Sequence, residues 1–464
     1  MLKKTKDQKF NQSKRKHVLM ITNHGCHAPK ITVTIDTAGQ NFYVNDYCKT
    51  LVHLGYKVTI LNRGGFCHPI NKNRHTGIVY YSEEWGEEIG DFCRIIYLED
   101  ENKKFIEKEK LTQEGIKQEV DDFFKKCEII NLDLKKIYYM NSHYWDSGIL
   151  GLMINKEIQK KGVKKIPHVW TAHSLGILKQ KNYKDEDPEV VKKLNFEQRI
   201  AYEKKVLNEV DGVVANAKVI KEVLPEYGVD IKSEFWFPPG VDTTNYHPRN
   251  KEDCLAAIRI LVEETGMNQK QIIQIIENKV VFFEISRTQE SKRKDVVLQA
   301  YQQLKNRDQA YLIMAINQGS SAYNQLIKLF KTGDNGDNQD IVLLDRFIKR
   351  NEGAELYALS DVFVTASQVE SWGMTSHEAA ASECAIIASQ YVPSVYEVLK
   401  PEAAIIVSGD RPEDYTQAMD RLIQDKKLRI KLAGKAKTKV FDHYSWLSLS
   451  KNFLDQMKTQ GVVE

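Results

Sequence analysis

The sequence predicts an α/β protein built from two doubly wound parallel-sheet domains. Three observations predict it. Short β-branched runs alternate with stretches of helical periodicity, the pattern of parallel strands covered on both faces. The alternation breaks at FWFPPGVD (Phe235 to Asp242), where Pro238, Pro239 and Gly240 in a row cannot continue a helix or a central strand. A chain of 464 residues is long enough for two or three domains, each with a full core.

Taken in order, residues 1–16 carry Lys3, Lys4, Lys6, Lys9, Lys14, Arg15 and Lys16 and read as a basic disordered tail. In the first domain, 17–235, the strand candidates are HVLMIT, KVTIL, IYYMN, HVWTAH and GVVAN. A helix is expected from Tyr43 to Gly55, apolar at Tyr43, Val44, Tyr47, Leu51 and Leu54, with Gly55 as its stop. Residues 100–136 are charged and helical in pattern and read as a surface excursion. The second domain, 236–441, opens on a polar helical stretch from Lys251 to Asn278. A second series follows: VVFFEIS, AYLIMAIN, DIVLLD, DVFVTAS, AIIAS and AAIIVS, with helices between. The stretch 442–464 is helical with no strand after it, and is expected to return to the first domain. Two such domains on one hinge at Pro238–Gly240 leave a cleft at the carboxyl ends of their strands, where ligands are expected.

Composition narrows the function classes. A net charge of +4 gives no electrostatic case for a nucleic-acid partner. No apolar run is long enough for a signal peptide or a membrane span. The seven cysteines are scattered and odd in number, without a C-x-x-C pair, which reads as reduced thiols in a cytoplasmic protein. His24 and His27 flank Cys26, a pattern open to a metal and equally to a polar loop after the first strand. No D-x-D triplet stands near a strand end, so a divalent-metal site for a sugar nucleotide is disfavoured.

Four stretches could carry chemistry. In ESWGMTSHEAAASE, Glu370 lies in the loop after a strand and Glu378 follows eight residues later. A helix starting near Met374 puts both carboxylates at one crevice, beside N–H groups of Gly373, Met374 and Thr375 that favour an anion. Such a crevice can hold a sugar hydroxyl, a ribose and a phosphate. A solvated acid plus a helix-surface acid is the alternative. DTAGQN (Asp36 to Asn41) lets backbone at Gly39 approach a ligand at a helix start, or is an ordinary loop. HVWTAHSLGILK puts His173 at a strand end, with Ser174 and Lys179 spaced to converge on a phosphate. SRTQESK places Arg287 and Lys292 after the first strand of the second domain, suited to a diphosphate. The run continues as Lys292-Arg293-Lys294, and any of these cations could instead be a solvated surface charge.

Together AGQNFYV, NSHYWDSG, TAHSLGILK, SRTQESK and ESWGMTSHE resemble the retaining glycosyltransferases of the GT-B fold, of the family-4 type, and within them the sucrose-phosphate synthase group. The resemblance runs from His17 to the C-terminus. It implies two Rossmann-like domains and transfer of a hexose from a nucleotide sugar of the UDP-glucose or GDP-mannose type. ESWGMTSHE matches the family's E-x7-E motif, which implies that Glu370 contacts the donor sugar and Glu378 the ribose. The Arg-x4-Lys pair implies that Arg287 and Lys292 hold the diphosphate, with His173 at the donor sugar. The base is expected at Arg346-Phe347-Ile348, with Phe347 as its contact. Gln40, Tyr144, Ser174, Lys179 and Arg199 match positions that bind a phosphorylated acceptor such as fructose 6-phosphate. The resemblance further implies a metal-independent reaction with no cofactor besides the nucleotide sugar. Three positions depart from the family: Ala38 for a Gly, QYVPSVYE for a Gly-Gly-Pro segment, and His377 for an apolar residue. Two other readings stay open: a transferase acting on glycans or lipid-linked sugars at a membrane surface, with KKGVKK as the basic stretch, and an inactive nucleotide-sugar-binding module.

Overall fold

A computed structural model gives the fold and describes residues 5–31, 39–69, 72–182, 188–318, 320–332, 338–370 and 372–464. The chain divides into two compact units, Met1–Pro238 with Leu449–Glu464, and Pro239–Ser448.

The first unit holds an eight-stranded sheet. Its strands are β1 (His17–Ile21), β2 (Lys57–Arg63), β3 (Ile78–Tyr80), β4 (Cys93–Leu98), β5 (Ile137–His143), β6 (His168–Thr171), β7 (Gly212–Ala215) and β8 (Glu234–Trp236). Their spatial order is β3-β4-β2-β1-β5-β6-β7-β8, parallel except for β3, which runs antiparallel to β4. β1, β2, β4, β6 and β7 are buried along their whole length, which is why all of them but β4 read as apolar runs without alternation.

Three expectations for this unit are corrected. Residues 5–16 are not a disordered tail. Lys6–Gln12 is a helix with a Thr5/Gln8 capping box, and its Phe10 is fully buried. Its reason for docking is β4. Arg94 is the second residue of that buried strand and has no exposed surface, and the terminal helix brings Asp7 to it at 3.0 Å and the Phe10 ring face at 4.0 Å. Residues 100–136 are not a surface excursion either. Helix Gln113–Ile129 buries Ile116, Val120, Phe123 and Phe124 in the main core of the unit. Finally, the C-terminal segment of this unit begins at Leu449, seven residues beyond 442. Its Phe453 stacks on Phe237 at 4.7 Å and meets Phe235 edge-on at 5.5 Å.

The second unit holds a fully parallel sheet of β9 (Val280–Glu284), β10 (Ala310–Ile316), β11 (Ile341–Asp345), β12 (Val362–Thr365), β13 (Ala385–Ser389) and β14 (Ile405–Val407). The order is β11-β10-β9-β12-β13-β14. Each sheet therefore reverses its winding once, between β1 and β5 in the first unit and between β9 and β12 in the second. Such switch points are where loops splay apart and a ligand can enter. No helix among the described residues is long and apolar enough to cross a membrane.

Candidate active site

The second unit's switch point carries the E-x7-E and Arg-x4-Lys stretches. Lys292 ends a short 3-10 turn after β9, Glu370 follows β12, and Lys292 Nζ meets Glu370 Oε1 at 2.5 Å. The two loops are also joined through the backbone, Gln368 N donating to Ser291 O at 2.8 Å. Lys292 is 8% exposed and Glu370 21%, so the pair is shielded yet reachable.

The Lys-Arg-Lys run is sorted by backbone geometry. Arg293 adopts a left-handed conformation (φ 48°), which turns successive side chains apart. Lys292 goes to the switch point, Arg293 to Asp295, and Lys294 into the core, where it binds Glu284 and donates to Ala315 O at 2.7 Å. Arg287 is exposed and has no ion pair among the described residues. Its loop is nevertheless fixed: Thr288 N donates to Asn317 Oδ1 at 2.8 Å, and Asn317 N returns to Thr288 Oγ1 at 2.9 Å.

Gly373 (φ 94°) forms the left-handed turn before helix Met374–Ala381. A Cβ there would lie 2.5 Å from Val392 Cγ1, so the position requires glycine. Ser394 clamps the turn, its Oγ donating to Gly373 O and its N to Trp372 O, each at 2.8 Å. The helix has no side-chain cap, which leaves the Met374 and Thr375 N–H groups without an acceptor among the described residues. One turn on, Glu378 Oε2 accepts the Tyr357 hydroxyl at 3.2 Å. His377 is buried, with Nε2 against Ser394 O at 3.1 Å, and burial pushes its pKa down to about 4. This histidine is a structural partner of the Ser394 clamp. Phe347 is 75% exposed, beside Arg346, which pairs with Glu263 at 3.1 Å.

The first unit's switch point is bridged by Gln40. Its Nε2 donates to Thr22 Oγ1 after β1 (3.1 Å) and to His143 O at the end of β5 (3.4 Å). Gly39 begins the helix Gly39–His53, with open space where a side chain would be. Residues 36–38 of the DTAGQN loop, Ala38 included, lie outside the described residues.

The ends of β5 and β6 are backbone-strained. Tyr144 has φ 77° and His173 φ 53°, conformations that non-glycine residues rarely adopt. Tyr144 is held by Trp170 Nε1, which donates to its carbonyl at 2.8 Å. His173 is held through both ring nitrogens: Nε2 pairs with His143 Nδ1 at 2.9 Å, and Nδ1 with Asn216 Nδ2 at 3.0 Å. Burial pushes the His173 pKa down to about 3, and that of His143 well below its usual value. Both shifts favour the neutral imidazole, and the two hydrogen bonds fix the orientation of the His173 ring.

Arg199 reaches this region from helix Phe196–Glu209. Its Nη2 donates to Ser174 O at 2.8 Å and Ser174 Oγ at 3.3 Å, and its guanidinium lies 4.5 Å from the Tyr144 ring. Lys179 adds a second cation. Burial first, then the charges of Arg199 and Lys108, push its pKa down to about 8. Arg199, Ser174, Tyr144 and Lys179 thus form one cluster. Lys108, Glu203, His143 and Asn216 were not singled out from the sequence. Lys108 sits in the charged segment read as an excursion, His143 stands at a strand end within NSHYWDSG and could have been found there, and Glu203 and Asn216 carry no signal apart from what they touch.

Comparison with known proteins agrees with this architecture. Residues 267–439 match the family Glycosyl transferases group 1. The chain is 24% identical over 454 residues to the mannosylfructose-phosphate synthase of Agrobacterium fabrum, covering 94% of this chain and 90% of that one. Its fold is similar to sucrose-phosphate synthase from Thermosynechococcus elongatus (TM-score 0.67, 19% identity, covering 96% and 99% of the two chains). It is also similar to HepE of Anabaena in complex with UDP and glucose (TM-score 0.63, 11% identity, 96% and 100%). The fold is of the GT-B type, and the match to the group 1 glycosyl transferase family lies within the second unit.

Proposed function

We propose that the protein transfers a hexose, with retention, from a nucleotide sugar of the UDP-glucose or GDP-mannose type to a small sugar phosphate. The observation that carries this is the Lys292–Glu370 pair across the β9/β12 switch point, beside the uncapped helix at Gly373. Departure of a nucleoside diphosphate builds negative charge on phosphate oxygens. Lys292, Arg287 and the Met374 and Thr375 N–H groups are positive groups for that charge. This is electrostatic preorganisation, and two such interactions of about 3 kcal/mol each supply about 10⁴ in rate. Glu370 takes a donor-sugar hydroxyl, Glu378 the ribose and Phe347 the base. The attacking hydroxyl gives its proton to the leaving phosphate, so the reaction needs neither a general base nor a metal.

The acceptor reading rests on the first unit's cluster. Arg199 and Lys179 are two adjacent shielded cations, which suits a phosphate dianion, with Ser174, Tyr144 and Gln40 beside it. Similarity to a mannosylfructose-phosphate synthase supports a phosphorylated acceptor.

A thermal-shift panel tests this reading. UDP-glucose or GDP-mannose at about 100 times its dissociation constant should add about 2.7 kcal/mol of stability. Fructose 6-phosphate should then support transfer that survives EDTA and yields a product of unchanged anomeric configuration. Absence of any nucleotide-dependent shift would sink the reading.

A further inference from the structure

Glu203 is a carboxylate with no exposed surface, and its contacts converge on one loop. Oε1 accepts Arg199 Nε at 2.8 Å. Oε2 accepts the backbone N–H of Gly176 at 2.8 Å and the Tyr227 hydroxyl. Gly176 opens helix Gly176–Asn182, which bears Lys179. A Cβ at Gly176 would lie 2.9 Å from Glu203 Oε2 and 2.8 Å from Ile200 Cγ1, so the loop backbone lies directly against this carboxylate. Arg199 closes the circuit by donating from Nη2 to Ser174 of the same loop.

A charge buried here is a costly way to stabilise a core that apolar side chains could fill. What the charge does accomplish is orientation. Of the guanidinium's donors, Nε is spent on Glu203 and Nη2 on Ser174, while Nη1 has no partner among the described residues. The Tyr144 ring lies 4.5 Å away and restricts the plane. We propose that Glu203 is the positioning residue of the acceptor site: it locks the Arg199 guanidinium and the Ser174–Gly176 loop together, so that the Nη1 edge and Lys179 face one anionic group. This rests on the acceptor reading above. Glu203 itself touches no substrate.

The groups acting on Lys179 are Arg199, Lys108, Glu109 and Glu203, and the two carboxylates favour its charged form. Charge and position can therefore be separated. Binding of fructose 6-phosphate and of inorganic phosphate to the full chain is measured by calorimetry from pH 7 to 9.5, with UDP as a control ligand. Glu203→Gln should weaken both phosphates at least tenfold, leave UDP binding unchanged, and shift the alkaline loss of binding to lower pH. Glu203→Asp keeps the charge but shortens the reach. It should weaken binding with the alkaline limb unmoved, and it secures the test if the Gln variant does not fold. Wild-type phosphate binding and an unmoved limb in Glu203→Gln would overturn the positioning role while leaving the acceptor reading intact. A wild-type protein that binds neither phosphate overturns both.

Discussion

Lys292 Nζ and Glu370 Oε1 stand 2.5 Å apart, joining the loops after two neighbouring parallel strands at the point where the sheet reverses. The ammonium is thus partly neutralised by a protein carboxylate. A bound diphosphate must share it, which leaves Glu370 an oxygen for a sugar hydroxyl. The two partners then have opposite expected effects on product binding. Lys292→Ala should lower kcat by about a hundredfold or more and weaken nucleoside diphosphate binding. Glu370→Gln should also lower kcat, but should leave diphosphate binding as tight or tighter, because the competing negative charge is gone. Calorimetry with UDP and GDP checks both, and loss of diphosphate binding in Glu370→Gln refutes the shared-cation account.

Arg287 offers the cleaner separation of function from fold. It is exposed and has no ion pair among the described residues. Arg287→Ala should change unfolding free energy by no more than about 0.5 kcal/mol, as for ordinary surface positions. Its kcat should nonetheless fall about a hundredfold. Equal rates in mutant and wild type would remove it from the donor site.

Phe10 tests the corrected N-terminus. Its ring is fully buried, 5.3 Å from the His17 ring and facing the Arg94 guanidinium. Phe10→Ala should cost about 3–5 kcal/mol. It should do so without altering kcat per folded molecule, measured beside a denaturation curve. A disordered tail would give no stability change.

The candidate site residues were legible in the sequence where chemistry sits at strand ends, because parallel strands bring such residues to one edge of the sheet whatever the strand order. Glu370, Lys292, His173 and Ser174 are all of this kind. Strand order was not legible, and with it the switch-point pairing of Lys292 to Glu370 and the Gln40 bridge between Thr22 and His143. Which cation of Lys292-Arg293-Lys294 enters the site depends on one left-handed residue, Arg293, that no apolar pattern announces. β4 was missed because Arg94 interrupts its apolar run, and the partner that makes burial tolerable, Asp7, lies 87 residues earlier. Glu203 was missed for a similar reason: on a charged helix, only tertiary contact distinguishes a buried carboxylate from a solvated one.

Gly373 links backbone geometry to donor binding. Its φ of 94° is strained for any other residue, and an added Cβ would collide with Val392. Gly373→Ala should lose about 1–3 kcal/mol of stability. It should also displace the Met374 and Thr375 N–H groups, weakening nucleotide binding more than sugar-phosphate binding. Paired titrations with UDP and fructose 6-phosphate read the difference, and equal loss for both ligands would mean the turn serves folding alone.

Lys179 gives the pH dependence its sign. Its folded pKa of about 8 lies below the ordinary lysine value of 10.5, chiefly through burial. Below about pH 8 the ammonium is charged in the folded protein and can hold an anion; above it the charge is lost while the unfolded chain keeps its proton. Acceptor KM should therefore be flat from pH 7 to about 8 and rise beyond it. Affinity thus falls with pH where stability rises. Between about pH 8 and 10.5 the unfolded state binds more protons, so this group's contribution to folding grows more favourable as pH rises. Lys179→Met removes both effects. Subtracting its KM and melting profiles from those of the wild type isolates this residue from every other titrating group. Both difference curves should rise above pH 8, and a flat KM difference beside a rising melting difference would show that Lys179 does not meet the acceptor.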